Sequence, residues 1–205
     1  MAFDSFSLHR LISELQPLVG NQIRHIAQTE SYEIAIRIGP YALLISAHPV
    51  HARIHLIPRM PKVKERERHH FSDFLMTHLM RGTVNRIEQI GLDRIVHIEV
   101  QPQGDLLRKE PRLLICEFMG KHSNIILVNL DTGKILESIK HIDSSLSSYR
   151  EVLPGLDYIP PPQKPKLDPF RLTREEFLDV IRERPNQPDK AIVASIDGFS
   201  PVIAR

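Results

Sequence analysis

Apolar positions along the chain keep two different periods, and the changes between them mark out the elements. Behind Asp4 and Ser5, either of which can cap a helix, Phe6, Leu8, Leu11, Ile12, Leu15 and Leu18 fall at helical spacing. Pro17-Leu18-Val19-Gly20 then ends the run. Four short strands are predicted next, over 22–29, 32–38, 41–47 and 52–57, with Glu30-Ser31, Gly39-Pro40 and His48-Pro49 as turns. Loops this short predict an antiparallel meander. The pattern breaks at Pro58-Arg59-Met60-Pro61 and at the mixed-sign run from Lys62 to His70, which reads as a solvated loop or the approach to a helix. Helical spacing returns from Phe71 to Met80, and Gly82 closes it.

A second set of strands is predicted over 83–90, 94–100, 112–119, 124–129 and 134–142. In 94–100, Val96, Ile98 and Val100 alternate with His97 and Glu99, the mark of a strand with one buried face. Leu113 to Met119 is almost wholly apolar and should be covered on both faces. The fold class that follows is α+β: two antiparallel sheets packed face to face over residues 1–145, flanked by helices. Residues 146–170 change character. SSLSSYREVLPGLDYIPPP is serine-rich, then proline-rich, and reads as an extended crossing segment. Residues 171–205 are helical again. Thr173 with Glu176 forms a capping box for a helix to about Arg184, and Pro188 opens another. Gly198-Phe199-Ser200-Pro201 should turn into a last helix after Ser200. Its short length predicts that the chain is the N-terminal part of a longer protein.

Composition changes this picture little. Apolar residues at 41% and charged residues at 25% fit a folded globular protein and exclude a disordered one. No apolar run approaches the roughly 20 residues that span a bilayer. MAFDSFSLHR has an acid at position 4 and no apolar h-region, so it does not read as a secretory signal. With the single Cys116 inside a strand, these features place the chain in the cytoplasm. A net charge of +2 permits nucleic-acid binding, but only a local cluster of cations would argue for it.

Candidate chemistry gathers at turns held by the second sheet, where rigid strands can position polar side chains. Asp93-Arg94, at a strand entrance, has two readings. One is a surface salt bridge of little energetic weight. The other is a carboxylate that accepts from base or ribose donors beside a guanidinium that clamps phosphate. Lys121, His122, Ser123 and Asn124 carry phosphate-compatible donors and equally suit a hairpin turn. Gly198-Phe199-Ser200 has the form of a helix-hairpin-helix turn, in which N–H groups at a helix start hold a phosphate, and also that of a plain helix–helix turn. His48, His51, His55, His69, His70 and His78 lack the Cys–His pairing, the HExxH motif or an Asp-rich loop that would argue for a metal. No GxSxG or glycine-rich phosphate loop is present, and Cys116 sits where a thiolate is disfavoured.

Six collinear stretches carry a family resemblance: FDSFSLHRLISEL, LLISAHPVHARIHL, QIGLDRIVHIEV, EFMGKHSNIILVN, ILESIKHI and YREVLPGLDYIPPP. On these the chain resembles the N-terminal (NFACT-N) part of the fibronectin-binding protein A family, the bacterial ribosome-associated quality-control factors related to nuclear export mediator proteins. The resemblance implies a β-sandwich like the N-terminal domain of formamidopyrimidine-DNA glycosylases, followed by a helix-hairpin-helix region. It implies binding to obstructed large ribosomal subunits with peptidyl-tRNA, and recruitment of alanyl-tRNA to extend the stalled chain without mRNA. It places the family's Asp–Arg pair, here Asp93 and Arg94, against the tRNA anticodon arm. No cofactor is implied.

Three departures stand out. Lys121 replaces the family's arginine, keeping the charge but losing the bidentate fork. Leu75-Met76-Thr77-His78-Leu79 stands where members commonly have Leu-Arg-Lys-His-Leu, and Asp4-Ser5 replaces Asp-Gly. Glycosylase chemistry does not transfer, because those enzymes use an N-terminal proline followed by glutamate and this chain starts Met1-Ala2-Phe3. The expected function is therefore that of a non-catalytic RNA-binding module, with a fibronectin-binding surface adhesin or a DNA-binding module as alternatives.

Overall fold

The computed structural model describes residues 4–62, 69–103, 110–162 and 165–204. Most of the mixed-sign run from Lys62 to His70 lies outside the described residues. The first helix, α1 (Ser5–Leu15), is capped by Asp4, whose carboxylate accepts the Ser7 N–H at 2.8 Å. A four-stranded sheet follows in the order β1 (Ile23–Glu30), β2 (Glu33–Ile38), β3 (Tyr41–Ser46) and β4 (Arg53–Ile57), antiparallel throughout. Helix α2 (His70–Leu79) leads into a five-stranded antiparallel sheet. Its strands are β5 (Thr83–Gln89), β6 (Ile95–Gln101), β7 (Arg112–Glu117), β8 (Asn124–Asn129) and β9 (Ile135–Ser138), again in chain order. Two sheets with flanking helices are thus the architecture that the two periodicities predict. Helices α3 (Arg174–Glu183) and α4 (Pro188–Ser195) follow, the first with the Thr173–Glu176 capping box in place.

The two sheets share one core with α1 and α2. Leu8 and Leu15 from α1, Ile36 and Leu43 from the first sheet, and Cys116 and Phe118 from the second are all essentially inaccessible. The sheets are also stitched together at one seam. Ile23 N–H donates to Gly82 O at 2.8 Å, and Gly20 N–H donates to Val84 O at 2.8 Å. The seam needs glycine at 82, because a Cβ there would lie 2.7 Å from a Val100 methyl and 2.9 Å from Leu79 O.

Strand β7 is buried at every position, Arg112 and Glu117 included, as the almost wholly apolar run from Leu113 predicts. Leu114 and Cys116 face the shared core, while Leu113 and Ile115 face a second cluster on the other side of the sheet. Val152 and the half-buried Tyr158 help cover that second face. Residues 142–158 are therefore not a free extended crossing. Ile142 and Val152 exchange backbone hydrogen bonds at 3.1 and 2.7 Å, and Ile135 N–H donates to Leu156 O at 2.8 Å. The segment forms no regular helix or strand, yet it docks through isolated bridges. The strand predicted over 134–142 is correspondingly short, ending at Ser138.

Candidate nucleic-acid interface

Arg94 lies just outside β6, in the turn that begins at Gly91, rather than within the strand. Asp93 N–H donates to Ile90 O at 3.0 Å, and Gly91 takes the left-handed conformation (φ +54°) that closes the turn. The Gln89 side-chain amide donates both to Asp93 O at 2.8 Å and to Ser5 O at 3.1 Å, so the start of α1 and the Asp93 turn are held as a unit. Phe118 N–H donates to Arg94 O at 2.8 Å, which ties the backbone of Arg94 to the chain leaving β7. Both side chains are half-buried. Among the described residues, no ion pair engages the Arg94 guanidinium.

The C-terminal helical part packs against this turn. Gly198 (φ +76°) approaches so closely that a Cβ would meet Leu92 at 3.2 Å and Phe6 at 3.3 Å. Phe199 meets the Phe6 ring edge-to-face at 5.2 Å. Asp93, Arg94, Lys166, Asp197 and Ser200 consequently share the wall of one cleft of about 220 Å³. A neighbouring cleft of about 350 Å³ runs from the Asp93 turn to Pro162. Lys166 directs its ammonium to Val193 O at 2.8 Å, near the C-terminal end of α4, where a cation is favoured. The Gly198–Ser200 turn and the Asp–Arg pair, more than 100 positions apart in sequence, thus line one surface, and residues 201–203 form a turn rather than the further helix expected after Ser200.

The second candidate group occupies the β7–β8 connection, where Gly120–His122 forms a single 3₁₀ turn. Glu117 pairs with Ile95 on one side and Asn124 on the other, so this turn and Arg94 stand at the same end of the five-stranded sheet. The four polar residues separate by role. Lys121 and His122 are exposed, whereas Ser123 and Asn124 are buried. Ser123 Oγ accepts the Met119 N–H at 2.9 Å, and Asn124 Oδ1 accepts the Ile125 and Lys140 N–H groups. The buried pair shapes the turn. Lys140 then spans the two sheets, donating from Nζ to Ala47 O and Ser123 O at 2.7 and 2.8 Å. Its partial burial pulls the ammonium pKa below its usual value.

Sequence reasoning missed the polar anchor beneath this end of the sheet. Glu117 is fully inaccessible and receives Arg150 through both nitrogens, at 2.8 and 2.5 Å, and the Tyr158 hydroxyl at 2.8 Å. Burial works against the Arg150 charge, but the Glu117 carboxylate outweighs it and raises the pKa. Burial and the same carboxylate push the Tyr158 phenol up. The carboxylate of Glu117 inside the almost wholly apolar run from Leu113 to Met119 was the available signal, since a buried carboxylate demands a cation.

A second missed group joins α2 to β9. His70 and His141 both reach Glu137, at 2.9 and 2.5 Å. Burial opposes the Glu137 charge, yet its hydrogen bonds from His141, the Ser138 N–H and His70 prevail and lower its pKa. The other histidines disperse. His48 and His51 stack with ring centroids 5.2 Å apart, and His48 Nδ1 accepts two backbone N–H groups of its own turn. Among the described residues, no group of three or more His, Cys, Asp or Glu side chains is arranged to hold a metal ion, and no helix is long and apolar enough to cross a membrane.

Comparison with known proteins gives a consistent result. Residues 4–205 match the family model for NFACT N-terminal and middle domains. The chain is 32% identical over its whole length to RqcH, an Rqc2 homolog, of Bacillus subtilis, covering 37% of that protein. It is 37% identical over 89% of its length to RqcH of Streptococcus pneumoniae, covering 34% of that protein. The chain therefore spans about a third of the length of these curated relatives. Among solved structures, the N-terminal domain of the fibronectin-binding protein PavA from Streptococcus pneumoniae superposes with a TM-score of 0.88 at 36% identity, covering 99% of this chain and 77% of that one. The fibrinogen-binding protein from Staphylococcus aureus superposes with a TM-score of 0.85 at 30% identity, covering all of this chain and 73% of that one.

Proposed function

We propose, starting from the fact that this chain belongs to the family of NFACT N-terminal and middle domains, that it is the RNA-binding part of a ribosome-associated quality-control factor. In this reading it acts in the cytoplasm as a binding module, not an enzyme. It holds tRNA for a protein that engages obstructed large ribosomal subunits and recruits alanyl-tRNA to extend the stalled chain. One observation carries the reading. Arg94, which no ion pair engages among the described residues, stands at the same sheet end as the exposed Lys121 and His122. Two phosphate-seeking groups on a rigid frame suit a folded RNA backbone better than a flat protein partner. Arg94 would clamp phosphate and Asp93 would accept from a base or ribose hydroxyl. Ser123 and Asn124 would support the turn from beneath, leaving Lys121 and His122 as the contacts.

The test is a pull-down from cell extract with the protein tagged at its own locus, comparing wild type with Asp93→Ala plus Arg94→Ala and sequencing the captured tRNA. The expected result is tRNA enriched for alanine acceptors that the double variant loses while large-subunit capture persists. Equal tRNA capture by both proteins would overturn the assignment of the site. A second reading, a surface adhesin, is favoured by the fibronectin- and fibrinogen-binding proteins among the similar structures. It requires the protein on intact cells and saturable fibronectin binding, both measurable on the same tagged strain.

A further inference from the structure

A groove of about 380 Å³ runs between the Gly120–His122 turn and the loop from Ile142 to Val152, within the range of small-ligand sites. Its floor is apolar, built from Met119, Ile142 and Val152, and its rim carries the exposed Lys121 and His122. Tyr149 lines it with 55% of its surface open to solvent, next to Leu146 at 69%. No carboxylate lines it among the described residues. The groove beside the β1–β2 turn differs sharply, since Glu30 and Glu33 line it and would repel an anion.

The backbone that carries Tyr149 is tethered on both sides. Ser147 Oγ accepts the Tyr149 and Arg150 N–H groups, each at 3.3 Å, and Arg150 is locked to Glu117. Upstream, the Asp143 carboxylate accepts the Ser145 and Leu146 N–H groups at 2.9 and 3.2 Å, so its charge turns into its own loop. The groove thus combines an exposed aromatic side chain on a tethered backbone, an apolar floor and a rim with one lysine ammonium and one imidazole. It also adjoins the Asp93 surface, because Pro162 lines both clefts.

We propose that this groove takes one unstacked nucleotide of single-stranded RNA, with its base on the Tyr149 ring and its phosphate between Lys121 and His122. The inference rests on the RNA-binding reading above and names the form of RNA that this part of the surface selects. An aromatic platform beside cations is the recurrent solution for bases that have left a helix, since every base has a stacking face and every nucleotide a phosphate. An acidic peptide would use the cations but leave the tyrosine face unexplained.

The experiment uses the purified protein with a ribouridine hexamer and an abasic hexamer of the same length. The chain contains no tryptophan and four tyrosines, so stacking is readable as tyrosine quenching. The intact hexamer should bind about tenfold more tightly than the abasic one, and Tyr149→Ala should lose about the same factor. Tyr149→Phe should retain the affinity. Because Tyr149 is largely exposed, the alanine variant should keep the wild-type fold, checked by its unfolding midpoint. Equal binding of the two hexamers, or an unchanged affinity in Tyr149→Ala, overturns the inference. A protein that captures tRNA through Arg94 yet binds no hexamer also overturns it, and leaves the groove to a protein segment. A wild-type protein that binds neither tRNA nor hexamer overturns both readings together.

Discussion

His97 shows how a single side chain sets a pH limit on the fold. It lies half-buried on β6, across from Glu88 and Ile115, and burial together with the Arg86 charge lowers its pKa to about 4. An unfolded histidine titrates near 6.5. Between those values the unfolded chain binds the extra proton and the native protein does not, so stability falls as pH falls through this window and is complete above it. The loss should be about 1–2 kcal/mol, allowing for the ring's partial contact with water. Urea midpoints at pH 7 and pH 4.5 should differ in wild type and differ less in His97→Gln. A residual slope should persist, because burial and Arg53 also lower the pKa of His55. An equal slope in the variant would remove His97 from the account. Glu137 acts in the same direction at lower pH, since its pKa is depressed and its contribution disappears as it protonates.

At the scale of elements, the segment from 142 to 162 behaves as part of the five-stranded sheet although it contains no regular structure. Besides Val152 and the backbone bridges, its grip includes one buried ion pair, with Glu117 at 0% and Arg150 at 11% side-chain exposure. Arg150→Ala would leave Glu117 with only the Tyr158 hydroxyl and should cost about 3–5 kcal/mol. The same variant should expose residues 144–162 to limited proteolysis while the sheets stay protected. Replacing both partners with apolar residues, Glu117→Leu with Arg150→Met, should recover much of the stability. If Arg150→Ala unfolded no more easily than wild type and was cut no faster, the segment would be held by Val152 and its backbone bridges alone.

For the molecule as a whole, a net charge of +2 is too small to attract nucleic acid without regard to place. Binding has to come from where a few cations stand. The fold brings the Asp93–Arg94 turn and the Gly120–His122 turn to one sheet end, which is where the proposed function puts the contacts. If the proposed function holds, the salt dependence of tRNA binding is modest and traceable to individual residues. Lys121→Ala should reduce the slope of log affinity against log salt by about 0.7–0.9. Filter binding across a KCl series checks this, and an unchanged slope would mean that Lys121 neutralises no phosphate.

The sequence by itself determined the order and type of almost every element, because periods of two and near four are local consequences of backbone geometry. It showed that Leu113 to Met119 would be covered on both faces, and it located the Thr173 capping box. It also singled out Asp93-Arg94 and Lys121 to Asn124, since polar residues between apolar strands have few other places to go. Tertiary structure decided what those residues became. That Ser123 and Asn124 are buried beneath the turn while Lys121 and His122 stay exposed is decided by the fold. The pairing of Glu117 with Arg150 joins positions 33 residues apart, and no local pattern distinguishes that arginine from its neighbours. The docking of Gly198 against Leu92 and Phe6 likewise depends on three segments meeting. Interactions within a turn or two of the chain are written in its period, while the partners of buried charges and the walls of clefts exist only once distant segments have packed.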